Sequence, residues 1–228
     1  MNIYSIGDFH LSFAKPKPMD MFGDNWQNHP EKIKDSWLSL VGEDDVVLLP
    51  GDLSWAMNLE EVAEDIEFIE NLPGKKILVK GNHDYWWQSL SKILKKEYKE
   101  CYFIQNNAFT FGDYVFCGTR GWMLPEDNGL TAEDDKIYKR ELLRLRMSLE
   151  NAEKNKPIVV LLHYPPFFKD GRSSEFIKII EDYPVIACVY GHIHGYFGDR
   201  KFLTGMYNNI DYHLVSSDYL EFTLKKIV

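Results

Sequence analysis

Short apolar runs alternate along this chain with segments of helical spacing, and that alternation leaves few folds open. Short runs carrying β-branched or aliphatic residues fall at 2–6, 46–49, 77–79, 114–116, 158–162 and 185–189, and each ends at turn or polar residues, as buried strands do. Between two of them, Val62, Ile66, Ile69 and Leu72 recur at three- and four-residue intervals within 59–72, the stripe of an amphipathic helix. Strands alternating with helices predict an α/β protein. Toward the end, 212–215 and 219–224 read as closing antiparallel strands joined around 216–218, so the sheet is expected to be mixed. A length of 228 residues with 45% hydrophobic and 27% charged side chains supports one sizeable core, and a single domain over 1–228 is expected.

Two stretches exceed the minimal alternation and are read as insertions. Residues 11–35 are rich in Pro, Asn and Asp around Phe22-Gly23-Asp24-Asn25-Trp26 and predict a long loop entering a helix near Pro30. Residues 120–155 begin Arg120-Gly121-Trp122-Met123-Leu124-Pro125 and continue as a helix from Thr131, where Thr131-Ala132-Glu133-Asp134 resembles a capping box. Such long segments serve either as lids and binding loops or as solvated surface.

Composition removes several classes of function. A net charge of -9 gives no basic surplus for general attraction to a phosphate backbone, so nucleic acid is disfavoured as a partner. The three cysteines (Cys101, Cys117, Cys188) are widely spaced and form no C-x-x-C pair, which argues against a disulfide framework and a thiolate zinc site and fits a reduced cytosol. Met1 to Gly7 run straight into Asp8 without a basic and then apolar leader, and no apolar run approaches the roughly 20 residues of a membrane span. A cytoplasmic protein without membrane attachment is expected.

The chemistry stands just after the strands. Run 2–6 leads into Gly7-Asp8-Phe9-His10, and in extended chain the side chains at i and i+2 share a face, so a carboxylate and an imidazole point together. Run 46–49 leads into Pro50-Gly51-Asp52, run 77–79 into Lys80-Gly81-Asn82-His83-Asp84, run 158–162 into His163 and run 185–189 into Gly191-His192-Ile193-His194-Gly195. Singly, each has an ordinary structural reading: a turn, a helix cap, a core histidine. Together they place five of the seven histidines at strand ends. Ligands of open α/β sheets bind outside the carboxyl ends of strands, so these groups would converge. Two carboxylates (Asp8, Asp52), one amide (Asn82) and four imidazoles (His10, His163, His192, His194) are too many donors for one tetrahedral ion and suit two ions sharing a carboxylate.

The order Asp-x-His, Gly-Asp, Gly-Asn-His-Asp, His, Gly-His-x-His resembles the calcineurin-like metallophosphoesterase superfamily, with all five blocks present in sequence from Asp8 to His194. The whole chain is most similar to its small bacterial predicted phosphohydrolases. The resemblance implies a four-layer α-β-β-α sandwich of two mixed sheets with the site at the strand ends. It implies a first metal on Asp8, His10, Asp52 and His194, and a second on Asp52, Asn82, His163 and His192, with Asp52 bridging. His83 would contact the phosphate and assist the leaving group, with Asp84 as its orienting carboxylate. The implied reaction is in-line attack of a metal-bridging hydroxide on a phosphomonoester or phosphodiester, the substrate being a small soluble phosphorylated molecule. Mixed imidazole and carboxylate donors without thiolate favour Mn, Fe, Zn or Co over Mg or Ca. The Gly-Asp block continues Leu53-Ser54-Trp55 and lacks the Arg that protein phosphatases of the superfamily carry there, which weighs against a protein substrate. No ligand block is broken, as one would be in a non-catalytic scaffold, and the His-x-His-x-Asp-His run of metallo-β-lactamases is absent.

Three further features have two readings each. Arg120 follows run 114–116 and is a candidate substrate-binding residue through its planar fork, or the partner of a surface carboxylate. Trp26, Trp55, Trp86, Trp87 and Trp122 line a ring-stacking pocket, or serve as core and cover. Lys136, Lys139, Arg140, Arg144 and Arg146 alternate with acidic residues and read as a solvated helix face.

Overall fold

The computed structural model describes residues 1–126, 129–195 and 204–228. The expectation of one insertion over 120–155 therefore falls partly outside the described residues. In chain order the elements are β1 (Ile3–Ser5), α1 (His29–Leu40), β2 (Val46–Leu49), α2 (Ala63–Glu70), β3 (Lys75–Val79), α3 (Leu90–Ile93), β4 (Cys101–Ile104), β5 (Phe109–Phe111), β6 (Tyr114–Thr119), α4 (Ala132–Glu150), β7 (Ile158–Leu162), α5 (Glu175–Glu181), β8 (Val185–Tyr190), β9 (Thr204–Tyr207), β10 (Ile210–Leu214) and β11 (Lys225–Lys226).

Two mixed sheets result. The first has the order β11-β1-β2-β3-β4, with β1 to β4 parallel and β11 antiparallel at the edge. The second has the order β5-β6-β7-β8-β10-β9, parallel from β6 to β10 with antiparallel edges. The period of two in each strand sorts its side chains between layers. In β2, Val46 and Leu48 join Val159 and Leu161 of β7 in a core between the sheets, while Val47 and Leu49 face the helices. Ile33 and Trp37 of α1, Ile66 and Ile69 of α2 and Ile93 of α3 cover the outer face of the first sheet. Tyr138, Leu145 and Leu149 of α4 with Phe176, Ile177 and Ile180 of α5 cover the second. Three apolar cores between four layers are the α-β-β-α sandwich expected.

The second long segment is thus largely α4, an integral layer. Its start behaves as the sequence indicates: the Thr131 side chain accepts a hydrogen bond from the Asp134 N–H at 3.1 Å. Thr131→Ala removes that cap and is expected to cost about 1 kcal/mol, read as a lower urea midpoint at unchanged slope. The first long segment forms short 3₁₀ turns at Asp20–Phe22 and Asp24–Trp26 before α1, and Met19 and Trp26 are buried in the first sheet's outer core.

The end of the chain departs from expectation. Residues 212–215 and 219–224 are not paired antiparallel strands: β10 runs parallel to β8 in the second sheet, and the last strand, β11, lies in the first. Residues 219–222 are turns, with Glu221 and Phe222 at positive φ (50° and 59°), so the alternating apolar pattern there comes from a turn that drops Phe222 and Leu224 into the core.

Candidate metal centre

The carboxyl ends of β1, β2 and β3 from one sheet and of β7 and β8 from the other meet at one rim, and each delivers a ligand block. Backbone conformation aims them. Asp8, His10, Asp52 and His192 all have left-handed φ (58°, 50°, 53° and 71°), a conformation costing about 1 kcal/mol or more for a residue with a Cβ, and its concentration here marks a functional constraint. Neighbouring loops hold it: the Asp8 N–H donates to the Gly51 carbonyl and the His10 N–H to the Asp52 carbonyl, both at 3.0 Å. Close approach demands glycine at two positions. A Cβ on Gly81 would lie 2.0 Å from Asp52 Oδ1, and one on Gly191 2.2 Å from Asp8 Oδ2.

All seven expected ligands converge. His194 Nε2 lies 3.2 Å from Asp8 Oδ1 and 3.4 Å from His10 Nε2, and His10 Nε2 is 3.9 Å from Asp52 Oδ2. On the other side His163 Nε2 lies 3.5 Å from Asp52 Oδ2, and Asn82 Oδ1 meets His163 Nε2 at 2.6 Å and His192 Nδ1 at 2.8 Å. Asp8, His10 and His194 form one group of donors with metal-binding spacing, and Asp8, Asp52 and His163 a second.

The electrostatics are those of a site built around positive charge. Burial and the neighbouring Asp8 charge push Asp52 up to about 8, since two buried carboxylates cannot both ionise unaided. Burial also acts to raise Asp8, but the imidazoles of His194, His163 and His10 overcome it and hold Asp8 well below the usual carboxylate range. Burial lowers His10 and His163 and brings His192 down to about 3, keeping those imidazoles neutral with lone pairs available. Burial opposes protonation of His194 as well, yet Asp8 and Asp218 together raise it to about 10. The Asp8 carboxylate and the His194 ring, 3.2 Å apart, thus favour positive charge between them, as a cation would supply. Converging carboxylate and neutral imidazole donors fit divalent ions.

The family-wide pattern described as calcineurin-like phosphoesterase matches residues 1–196. The chain belongs to that family. A probable cyclic nucleotide phosphodiesterase of Coxiella burnetii is 23% identical over 168 residues, 70% of this chain and 64% of that protein. The gene 66 protein of Mycobacterium phage L5 is 29% identical over 83 residues, 36% of this chain, so the chain's match spans only 40% of the phage protein's length. Among solved structures, a phosphopantetheinyl hydrolase from Mycobacterium tuberculosis superimposes with a TM-score of 0.62 at 16% identity, covering 100% of this chain and 95% of that one. The protein TT1561 of Thermus thermophilus superimposes with a TM-score of 0.58 at 14% identity, covering 99% and 97%.

Around these seven candidate ligands, the remaining candidate residues separate. His83 is at the site: its N–H donates to Asp52 Oδ1 at 2.7 Å, and its ring packs on Trp55 with centroids 4.3 Å apart. Asp84 is not the orienting partner of that ring. Its carboxylate is fully engaged by the N–H groups of Gly81 (2.7 Å), Asp52 (2.9 Å) and Ser54 (3.2 Å) and by Trp86 Nε1 (3.0 Å), so it ties the β2 and β3 loops together. Burial and the Asp52 charge raise it to about 6. Arg120 is 3.8 Å from the buried carboxylate of Glu141 and lies over the Trp122 ring at 4.2 Å, while its carbonyl accepts the His163 N–H at 3.0 Å. The tryptophans divide too. Trp86 and Trp87 are core, whereas Trp26 and Trp55 border a cavity of about 280 Å³ that also touches His10, His83 and His194.

Reasoning from the sequence misses one residue of the centre. Asp218, just past β10, bonds His194 Nδ1 at 2.9 Å and the Gly195 N–H at 2.8 Å, fixing the ring so that Nε2 faces Asp8. Its signal in the sequence is a carboxylate just past a strand end, the same one that marks Asp8 and Asp52. Carboxylates orienting ligand imidazoles tune metal affinity, and Asp218→Asn is expected to weaken metal binding about 10- to 100-fold, measured by titrating apoprotein with Mn²⁺.

Proposed function

We propose that the chain is a dinuclear, metal-dependent phosphoesterase that hydrolyses a small phosphorylated molecule, either a phosphomonoester or a phosphodiester. The observation that carries this reading is the convergence of seven oxygen and nitrogen donors, with two buried carboxylates side by side, next to a histidine that lines a neighbouring cavity. Asp8, His10, Asp52 and His194 would hold one ion, and Asp52, Asn82, His163 and His192 the other, with Asp52 shared. The donor set contains no thiolate and suits Mn, Fe, Zn or Co. When bound, such ions supply Lewis acidity toward phosphoryl oxygens and bring the pKa of water toward 7.

The protein's own groups supply the rest. His83 is lowered to about 4 by burial and by His163, so its neutral ring offers one N–H to a phosphoryl or leaving oxygen; a phosphoryl dianion beside it favours the protonated form that can donate fully. Trp55 stacks on His10 with centroids 4.9 Å apart and tilts against His83, limiting the positions open to either ring and excluding water from that flank. Asp84 keeps Asp52 and the Gly81 backbone in register.

The test is release of p-nitrophenol from p-nitrophenyl phosphate and from bis-p-nitrophenyl phosphate by purified protein. Turnover of at least one ester that EDTA abolishes and Mn²⁺ restores is expected. The Coxiella relative's name as a phosphodiesterase makes a diester one of the first substrates to try. No turnover of either ester with Mn²⁺, Fe²⁺, Zn²⁺ or Co²⁺ would overturn the reading.

A further inference from the structure

Next to the metal centre, on the same rim of strand ends, lies a second cavity of about 250 Å³ that the proposed chemistry does not use. Lys80 after β3, Gln105 after β4 and Arg120 after β6 supply its strand-end side, and Arg140 and Arg144 of α4 face them. Three of the four cations share one carboxylate. Glu141 is buried and lies 2.8 Å from Arg144, 3.4 Å from Arg140 and 3.8 Å from Arg120. Lys80 makes no ion pair among the described residues, its ammonium meeting only the Trp87 carbonyl at 3.4 Å. Four positive groups around one negative leave a local surplus of three charges on a protein whose net charge is -9. Arg120 Nε is buried without a hydrogen-bond partner.

Crowding cations in a partly buried cleft is unfavourable unless an anion enters it. The cleft is also joined to the centre by the chain itself. Lys80 precedes Gly81-Asn82, and the Arg120 carbonyl accepts the N–H groups of His163 and Tyr164, both at 3.0 Å. A solvated helix face, the reading the sequence invites for Arg140 and Arg144, does not account for a lysine and an arginine from two strand ends turned toward the same space.

We propose that this cleft is an anion subsite that takes a second, non-reacting phosphate of the substrate, so that the preferred substrates carry two phosphate groups. Arg120, Arg140 and Arg144 present guanidinium donors whose planar geometry suits phosphate oxygens, and Lys80 adds a point charge from the side of the metal centre. The substrate part of this assignment rests on the phosphoesterase reading; the existence of the anion site does not.

Two arms test it. Calorimetric titration of inorganic phosphate into metal-free protein held in EDTA reads the cleft alone. Wild type and Asp52→Asn are expected to bind phosphate alike. Lys80→Gln, which breaks no ion pair, and Arg140→Gln, whose side chain is half exposed, are each expected to bind at least about tenfold more weakly, the loss of one charge-assisted hydrogen bond. Absence of phosphate binding in wild type, or binding in both variants as tight as in wild type, overturns the site and leaves the arginines as counter-ions of Glu141. The second arm compares kcat/KM for a sugar bisphosphate with that for the sugar monophosphate in Mn²⁺-loaded protein. Wild type is expected to favour the bisphosphate, and Lys80→Gln and Arg140→Gln to reduce that preference about tenfold. A preference unaffected by either variant, with phosphate binding weakened in the first arm, would overturn the substrate assignment and make the ligand free phosphate. Failure of wild type to hydrolyse any ester would strike the phosphoesterase reading, while the first arm would still decide the anion site.

Discussion

Asp52→Asn is expected to lower phosphoesterase turnover by roughly 10⁴-fold or more, because ions that bring the pKa of water from 15.7 to about 7 can no longer be held as a pair. In the proposed centre Asp52 would be shared by both ions: its carboxylate lies 3.9 Å from His10 Nε2 and 3.5 Å from His163 Nε2. Asparagine keeps the shape and the acceptor oxygen that the His83 N–H requires, at 2.7 Å in the native protein, so the fold should survive. Replacing the Asp52 carboxylate also relieves the cost of burial and the Asp8 repulsion that together push it up to about 8. The metal-free variant is therefore expected to be at least as stable as metal-free wild type, and to gain less thermal stability when Mn²⁺ is added. A variant that retained near-native turnover would remove Asp52 from the centre.

His83→Ala is the second large effect, with a different signature. A loss in kcat of about 10² to 10⁴ is expected with both ions still bound, since His83 meets Asp52 through its backbone N–H and the alanine variant keeps that bond. A group that helps the leaving oxygen depart matters most when that oxygen is a poor leaving group. The loss should be greatest for an alkyl phosphate and smallest for a p-nitrophenyl ester, whose phenolate needs little assistance. A uniform loss across both esters, or loss of an ion from the variant, would assign His83 a supporting role instead.

Much of the candidate centre is legible in the sequence because its candidate ligands are tied to strand ends, and strand ends are legible when the strand is buried on both faces. The runs 46–49 and 158–162 coincide with β2 and β7, and their uninterrupted apolar character follows from facing a core on each side. Where a strand is short or at an edge, that signal fades. Phe109–Phe111 has three residues, and Thr204–Tyr207 is largely exposed with a glycine inside it, so neither β5 nor β9 carries the pattern of a buried strand. Helix α5 packs Phe176, Ile177, Ile179 and Ile180 into the core within seven residues, too few to set helical spacing apart from a buried strand. Partners distant in sequence are the other limit. Asp218 meets His194 across 24 residues because β8 and β10 are neighbours, and Arg120 meets Glu141 across 21 because α4 packs on the second sheet. Asp84 shows the converse: adjacency to His83 suggests an orienting pair, but a carboxylate that four backbone and indole N–H groups already satisfy has no geometry left for the neighbouring ring.

Whether two ions are held by one shared carboxylate at these strand ends is tested most directly by metal stoichiometry measured beside turnover on the same preparations. Wild-type protein reconstituted with Mn²⁺ and freed of excess metal should carry two ions per chain and hydrolyse at least one p-nitrophenyl ester, and Asp52→Asn should lose at least one ion together with activity. Wild-type protein that retains no ion, or an Asp52→Asn variant that holds two and turns over normally, would contradict that arrangement.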